Sequence, residues 1–317
     1  MFLPLLLHSA PPANLSNEFV FHVTADAQKG EPLKIWIPLA SDRPYQVVTD
    51  IKVDALGAAQ KFTTETEYGN KILFLSYNEA PERLDVKVSY RVKRINFEGA
   101  IIPSDRLMID RFLAPDRLVP LTDRYQDIAK EVVRGKTVQG MMQSIYNHVV
   151  ETMEYDYNKE SPRLGMGDVA FVCDYKRGNC SDLHSYIISL ARISKIPAYL
   201  EYGFPVSGVP IPDEIPEAGS IGGYHCWTWY YDKSAGWYPL DASDGRRWTD
   251  SGNTEIGNSL FKRILPARSA VAVSRGRDIT LTPRQSGGPL NYFIKPHAQQ
   301  NYQPIEADWT VTYKRLP

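Results

Sequence analysis

The sequence is short of cysteine, of net charge and of long apolar runs, and each shortage removes a class of function. Three cysteines in 317 residues cannot form a disulfide framework. One is left over after any single pairing, and an unpaired thiol is a candidate nucleophile. The formal net charge is −1, with 36 Lys and Arg against 37 Asp and Glu. The basic residues are scattered, so the stripe that a phosphate backbone needs is missing and nucleic acid is not expected as a partner. The longest apolar run, Phe2 to Leu7, is too short to span a bilayer, so no membrane span is expected. There is no C-x-x-C or H-x-x-x-H pair. A zinc site built from Cys173, Cys180, His184 and Cys226 therefore has little support. No Ca²⁺-binding loop is recognisable, and neither a metal nor a cofactor is expected. Internal repeats and low-complexity tracts are also missing.

What is present is a chain long enough for two or three domains, with 43% apolar residues to fill their cores. Residues 1–16 read either as the remnant of a secretory signal, though without a basic n-region, or as a disordered tail. Export to the periplasm or exterior and residence in the cytoplasm thus both stay open. Residues 17–97 carry short β-branched and aromatic runs, with alternation clearest at Leu84, Val86, Val88, Tyr90 and Val92. Gly, Pro, Asp and Asn punctuate the gaps, as in an antiparallel sandwich. Residues 98–125, with Pro103, Pro115 and Pro120, suit an extended connector. A core over 126–250 follows. In it, Asp127 to Met153 has helical spacing broken at Gly135, and Ser181 to Ser194 forms a further helix with Ser181 or Asp182 as its cap. Tyr199–Phe204, Tyr224–Tyr231 and Trp237–Leu240 read as strands. Residues 251–317 read as a β-rich extension packing on that core, with strands at Ile279–Leu281, Asn291–Ile294 and Asp308–Lys314.

The chemistry concentrates in three places. Cys180 precedes the Ser181 helix, where the positive end of the helix dipole would favour its thiolate. Its own backbone N–H is placed to meet an oxyanion, and Gly178 would let backbone approach substrate closely. In the stretch Tyr224-His225-Cys226-Trp227-Thr228-Trp229, His225, Trp227 and Trp229 share one face. A hairpin centred on Lys233 would pair Trp229 with Trp237, Trp227 with Pro239 and His225 with Asp241. Asp241 could then fix the imidazole tautomer and leave the other ring nitrogen for Cys180. Tyr155, Asn179 and Trp227 are further candidates for the oxyanion or the substrate. Cys226, on the opposite face, reads as core or as a disulfide partner of Cys173, and His184 as packing. The loop 205–223 enters the His225 strand and is expected to line or cover the cleft.

Taken together, Gly178-Asn179-Cys180-Ser181-Asp182-Leu183-His184, Ile196-Pro197-Ala198, Gly223-Tyr224-His225-Cys226-Trp227 and Gly236-Trp237-Tyr238-Pro239-Leu240-Asp241 resemble the transglutaminase-like superfamily, a branch of the papain-like cysteine enzymes. Gly276-Arg277-Asp278-Ile279 and Pro289 to Phe293 also look like extensions seen in bacterial members. The resemblance implies an α+β fold in which a helix starting with the cysteine packs on an antiparallel sheet. It also implies Cys180 as nucleophile, His225 as base and acid, and Asp241 as orienter. Lys195 stands where such relatives commonly have Gly. The expected activity is acyl transfer on peptide or carboxamide bonds through a thioester, with hydrolysis or deamidation slightly favoured over cross-linking and a protein or peptide as substrate. The rival is a binding or scaffold protein that keeps the fold without turnover. Substrate identity and oligomeric state are beyond the sequence.

Overall fold

A computed structural model of the chain describes residues 14–95, 106–158, 161–208 and 215–317. Most of the expected N-terminal tail, part of the connector and the middle of the 205–223 loop lie outside the described residues.

Two five-stranded antiparallel sheets form a sandwich. Across the first, the order is Ala218–Ile221, Asp308–Arg315, Asn14–Asp26, Arg83–Ile95 and Gln46–Asp54. Across the second it is Gln303–Ile305, His297–Gln300, Leu33–Leu39, Lys71–Tyr77 and Ala59–Thr64. The alternation read in the sequence is the inner face: Leu84, Val86, Val88, Tyr90 and Val92 are all buried. They pack with Phe19, Phe21, Ile35 and Leu75 in one core. Ala59–Thr64 was not foreseen. It is an exposed, largely polar edge strand, and such strands carry little hydrophobic signal.

The C-terminal stretch departs from expectation. Ile279–Leu281 and Asn291–Ile294 are not strands; only the Ile279–Leu290 bridge forms there. The strands are Val271–Arg275, His297–Gln300, Gln303–Ile305 and Asp308–Arg315. The last three complete the two sandwich sheets rather than the core. Sequence-local reading misses this because the partner of Asp308–Arg315 is Asn14–Asp26 at the other end of the chain.

The core is an antiparallel sheet in the order Gly236–Leu240, His225–Asp232, Ala198–Phe204 and Val271–Arg275. One face carries the helix Cys180–Ile193. The other buries Trp227, Trp229, Tyr199 and Trp237 against Trp36, Tyr45 and Phe112 in an aromatic cluster. At its centre Glu201, fully buried, accepts from Trp227 Nε1 at 3.0 Å, Trp229 Nε1 at 2.7 Å, Arg43 Nε at 3.3 Å and the Tyr45 hydroxyl. Two sandwich residues and two core tryptophans thus converge on one carboxylate. The helices Asp123–Val132 and Val138–Thr152 flank a break at Gly135, whose φ of +105° is a conformation glycine adopts readily. The expected connector is not wholly extended, since Arg106–Arg111 is helical.

The hairpin register is corrected by two residues. Trp229 pairs with Pro239, Tyr231 with Trp237 and Asp232 with Gly236, because the turn takes in Lys233, Ser234 and Ala235 rather than centring on Lys233. An even shift preserves the side-chain faces. Asp241, however, lies beyond the strand instead of opposite His225, and begins the helix Ala242–Asp250.

Candidate active site

Cys180 is the first residue of its helix, and the cap is Asn179 rather than Ser181 or Asp182. Asn179 Oδ1 accepts from the Ser181 N–H at 3.0 Å, and Asp182 Oδ2 accepts from the Asn179 N–H at 3.0 Å. This reciprocal capping box satisfies donors the helix start would otherwise leave open. Asp182 reaches further, accepting from Gly165 N at 2.7 Å and Gly167 N at 2.8 Å. Burial pushes its carboxyl up to about 6 despite these donors. A Cβ on Gly178 would sit 2.4 Å from Asp182 Cβ. That contact, rather than substrate approach, is what requires glycine there.

Asp241 serves two elements. Its Oδ1 accepts from Asp244 N at 3.0 Å and Ser243 Oγ at 2.9 Å, capping its helix. Its Oδ2 lies 2.7 Å from His225 Nε2, with both side chains buried. The imidazole is thereby held through Nε2, while Nδ1 lies 3.3 Å from Arg268 Nη2. A hydrogen bond from the Cys226 thiol, followed by the hydrogen bond and charge of His225, holds the Cys180 thiol well below its ordinary pKa although burial opposes this. Burial also works against a charged His225, but the Asp241 carboxylate raises it to about 9 over the opposition of Arg268. The two shifts together favour a thiolate–imidazolium pair.

Cys226 thus has a place beside Cys180 that a simple core reading missed. Its sulfur is 3.7 Å from Ser181 Oγ and 3.9 Å from His184 Nδ1. His184 accepts from Ala242 N at 3.0 Å through Nε2, so its proton sits on Nδ1, toward Cys226. Burial pushes its pKa down. All three cysteines are free, so Cys173 and Cys226 are not paired. Cys173 lies on the helix Val169–Tyr175 with its thiol pushed up to about 11 by burial.

Arg268 and a second carboxylate, Asp244, lie beside His225, and Arg247 joins them through Asp244. Arg268 Nη2 lies 3.3 Å from His225 Nδ1, Arg268 Nε donates to Asp244 Oδ2 at 2.8 Å, and Nη1 donates to the Ser207 carbonyl. Arg247 Nη1 donates to Asp244 Oδ1 at 3.2 Å. His225, Asp241 and Asp244 offer one nitrogen and two carboxylate oxygens within 4.8 Å of one another, a spacing a cation could use. The Arg268 guanidinium already supplies the positive charge there, so this is an ion-pair network. Asp244 carries no signal of its own in the sequence. Arg268 sits in a stretch without any motif, and nothing in the sequence singles it out.

A cleft of about 560 Å³ opens beside this network, lined by Tyr155, Tyr157, Tyr224, Arg247, Arg268 and both described halves of the 205–223 loop. Within that loop Ala218–Ile221 forms a strand on the sandwich edge, so the cleft has one wall from each layer. Tyr155 pairs with Gly178, two residues before Cys180, and lines the cleft. The other two candidates face elsewhere. Asn179 is committed to capping, and its Nδ2 points at Gly165. Trp227 is completely buried, with Nε1 bound to Glu201.

The sequence and the fold both have counterparts among known proteins. The sequence pattern of the Transglutaminase-like superfamily matches residues 126–242. An uncharacterised protein of Haemophilus influenzae is 23% identical over 310 residues, spanning 86% of this chain and 82% of that protein. A Cytophaga hutchinsonii protein, put forward as a cysteine protease in its crystal structure, superposes with a TM-score of 0.52 at 16% identity. It covers 94% of this chain and 98% of its own. The periplasmic domain of TgpA from Pseudomonas aeruginosa gives a TM-score of 0.37 at 16% identity, over 80% of this chain and 94% of that one.

Proposed function

We propose that the chain, whose residues 126–242 form a transglutaminase-like core, is a cysteine-dependent acyl-transfer enzyme acting on peptide or carboxamide bonds. The observation that carries this reading is the buried 2.7 Å contact of His225 Nε2 with the helix-capping Asp241. With Nε2 engaged in this way, Nδ1 is the ring nitrogen left to serve Cys180, whose thiol His225 helps to lower.

In this reading the Cys180 thiolate attacks the carbonyl carbon and its electron pair forms the C–S bond. The carbonyl oxygen takes the negative charge, met by the Cys180 backbone N–H and by Tyr155. The His225 imidazolium gives its Nδ1 proton to the nitrogen as the C–N bond breaks, which releases an amine or ammonia and leaves a thioester. Neutral His225 then takes a proton from water, and hydroxide addition breaks the C–S bond, which releases a free carboxylic acid and restores the thiolate–imidazolium pair. Asp241 holds the ring through both halves and stays ionised. Hydrolysis is favoured over cross-linking only slightly, because an amine could replace water with the same residues.

The test is the pH dependence of Cys180 alkylation by iodoacetamide, with His225→Ala alongside. The expected result is thiolate reactivity well below the ordinary thiol range near 8.5, with a large shift upward in the variant. A thiol that titrates near 8.5 and ignores His225→Ala would refute the reading. Ammonia or new amino termini released from a mixed peptide library would identify the bond cleaved.

A further inference from the structure

The charged residues that line the cleft beside His225 are both arginines, Arg247 and Arg268, and no acidic side chain lines it among the described residues. Behind them Asp244, its side chain 1% exposed, is shared by both guanidinium groups. Asp241, the other nearby acid, is engaged by His225. Two guanidinium groups therefore share one buried carboxylate behind the described wall of the cleft.

Their donors are only partly used. Arg247 gives one hydrogen bond from each nitrogen: Nε to the Tyr157 hydroxyl at 3.0 Å, Nη1 to Asp244 at 3.2 Å and Nη2 to the Gly208 carbonyl at 2.8 Å. A guanidinium has five N–H groups, so about two on Arg247 remain for a ligand. The group is held rather than loose, stacked with Cζ 5.4 Å from the Tyr155 ring and 5.9 Å from the Tyr157 ring. Its side chain is 12% exposed. Preorganised in this way, it loses little freedom when it binds. Arg268 fixes the inner end of the cleft, within 3.3 Å of His225 Nδ1.

We propose that Arg247, backed by Arg268, binds a carboxylate of the substrate, so that the preferred substrates are acidic peptides whose carboxylate lies close to the bond attacked. This rests on the acyl-transfer reading of the same site and adds the charge class of its substrate. A fork of N–H donors matches a carboxylate bidentately where a neutral carboxamide offers only one acceptor oxygen. Discrimination of Glu over Gln at one substrate position follows. It should weaken with added salt, because the cleft is open to water at its outer end.

The test uses the full chain carrying Cys180→Ala, which removes turnover, and blocked tetrapeptides in which each position in turn is Glu or Gln. Calorimetry should show at least tenfold tighter binding of the Glu peptide at one position. Arg247→Gln should abolish that preference, and Arg247→Lys should retain part of it. Equal binding of Glu and Gln peptides at every position, or a preference that survives Arg247→Gln, overturns the proposal. Iodoacetamide reactivity of Cys180 in the unmodified chain separates the two claims. An unreactive thiol with a Glu preference removes the acyl-transfer reading and leaves the anion site standing. A reactive thiol without the preference does the reverse.

Discussion

Asp241 uses its two oxygens for different tasks, and a single substitution can separate them. In Asp241→Asn the amide oxygen can keep accepting from Asp244 N and Ser243 Oγ, since Asn caps helices about as well as Asp. The amide nitrogen would then face His225 Nε2, donor against donor, and force the proton onto Nδ1. The expected outcome is near-native thermal unfolding with a rate roughly 10²–10⁴-fold lower, as a wrong tautomer produces. Equal losses of stability and rate would make Asp241 structural. His225 also predicts a pH dependence. Its folded pKa of about 9 lies above its ordinary value, so its stabilising contribution is full below about pH 6.5 and fades as pH rises through 9. Urea denaturation should show the stability gap between the wild type and His225→Gln narrowing from pH 6 to pH 9.5.

At the scale of elements, the Cys180 helix ends on Lys195, whose φ of +62° places a side chain in the left-handed region. Ile196 N returns to Ala191 O at 2.9 Å there, a helix-ending pattern that favours glycine. Lys195→Gly should stabilise the fold by up to about 1 kcal/mol in denaturant titration and leave Cys180 reactivity unchanged. This helix was readable in advance because its apolar spacing is local, and so was the sandwich strand Arg83–Ile95 with its period of two. The hairpin faces were readable for the same reason, although the turn hid its length and the register slipped by two. What could not be read depends on distance along the chain. Glu201 looks like one acid in a strand, and only the fold brings Arg43, Tyr45, Trp227 and Trp229 to it. Arg268 meets His225 through packing that no periodicity encodes. Cys180, His225 and Asp241 were nameable, whereas the network that shifts their protons was not.

For the whole molecule, the seam between sandwich and core is held by a charge that has no water to fall back on. Glu201→Ala would leave the half-buried Arg43 with only its Ser41 and Asp42 acceptors, and the buried Trp227 and Trp229 N–H groups without their acceptor. Each buried donor left open costs about 1–3 kcal/mol. Chemical denaturation should show that loss, and Glu201→Gln, which keeps an acceptor for the indole N–H groups, should lose less. The seam also shapes the cleft, since Tyr313 and the sandwich-edge strand Ala218–Ile221 line it together with Arg247 and Arg268 of the core. Sandwich and core are therefore expected to unfold in one transition.

The strand Asp308–Arg315, seated between Asn14–Asp26 and Ala218–Ile221, also sets a timetable for biosynthesis. The edge it covers emerges from the ribosome long before the strand itself. At ordinary rates of translation the interval is on the order of tens of seconds. For that time Asn14–Asp26 offers an open row of backbone donors and acceptors to any passing chain. Shielding of the nascent chain by a chaperone, rather than final stability, should then govern how much active protein a cell obtains.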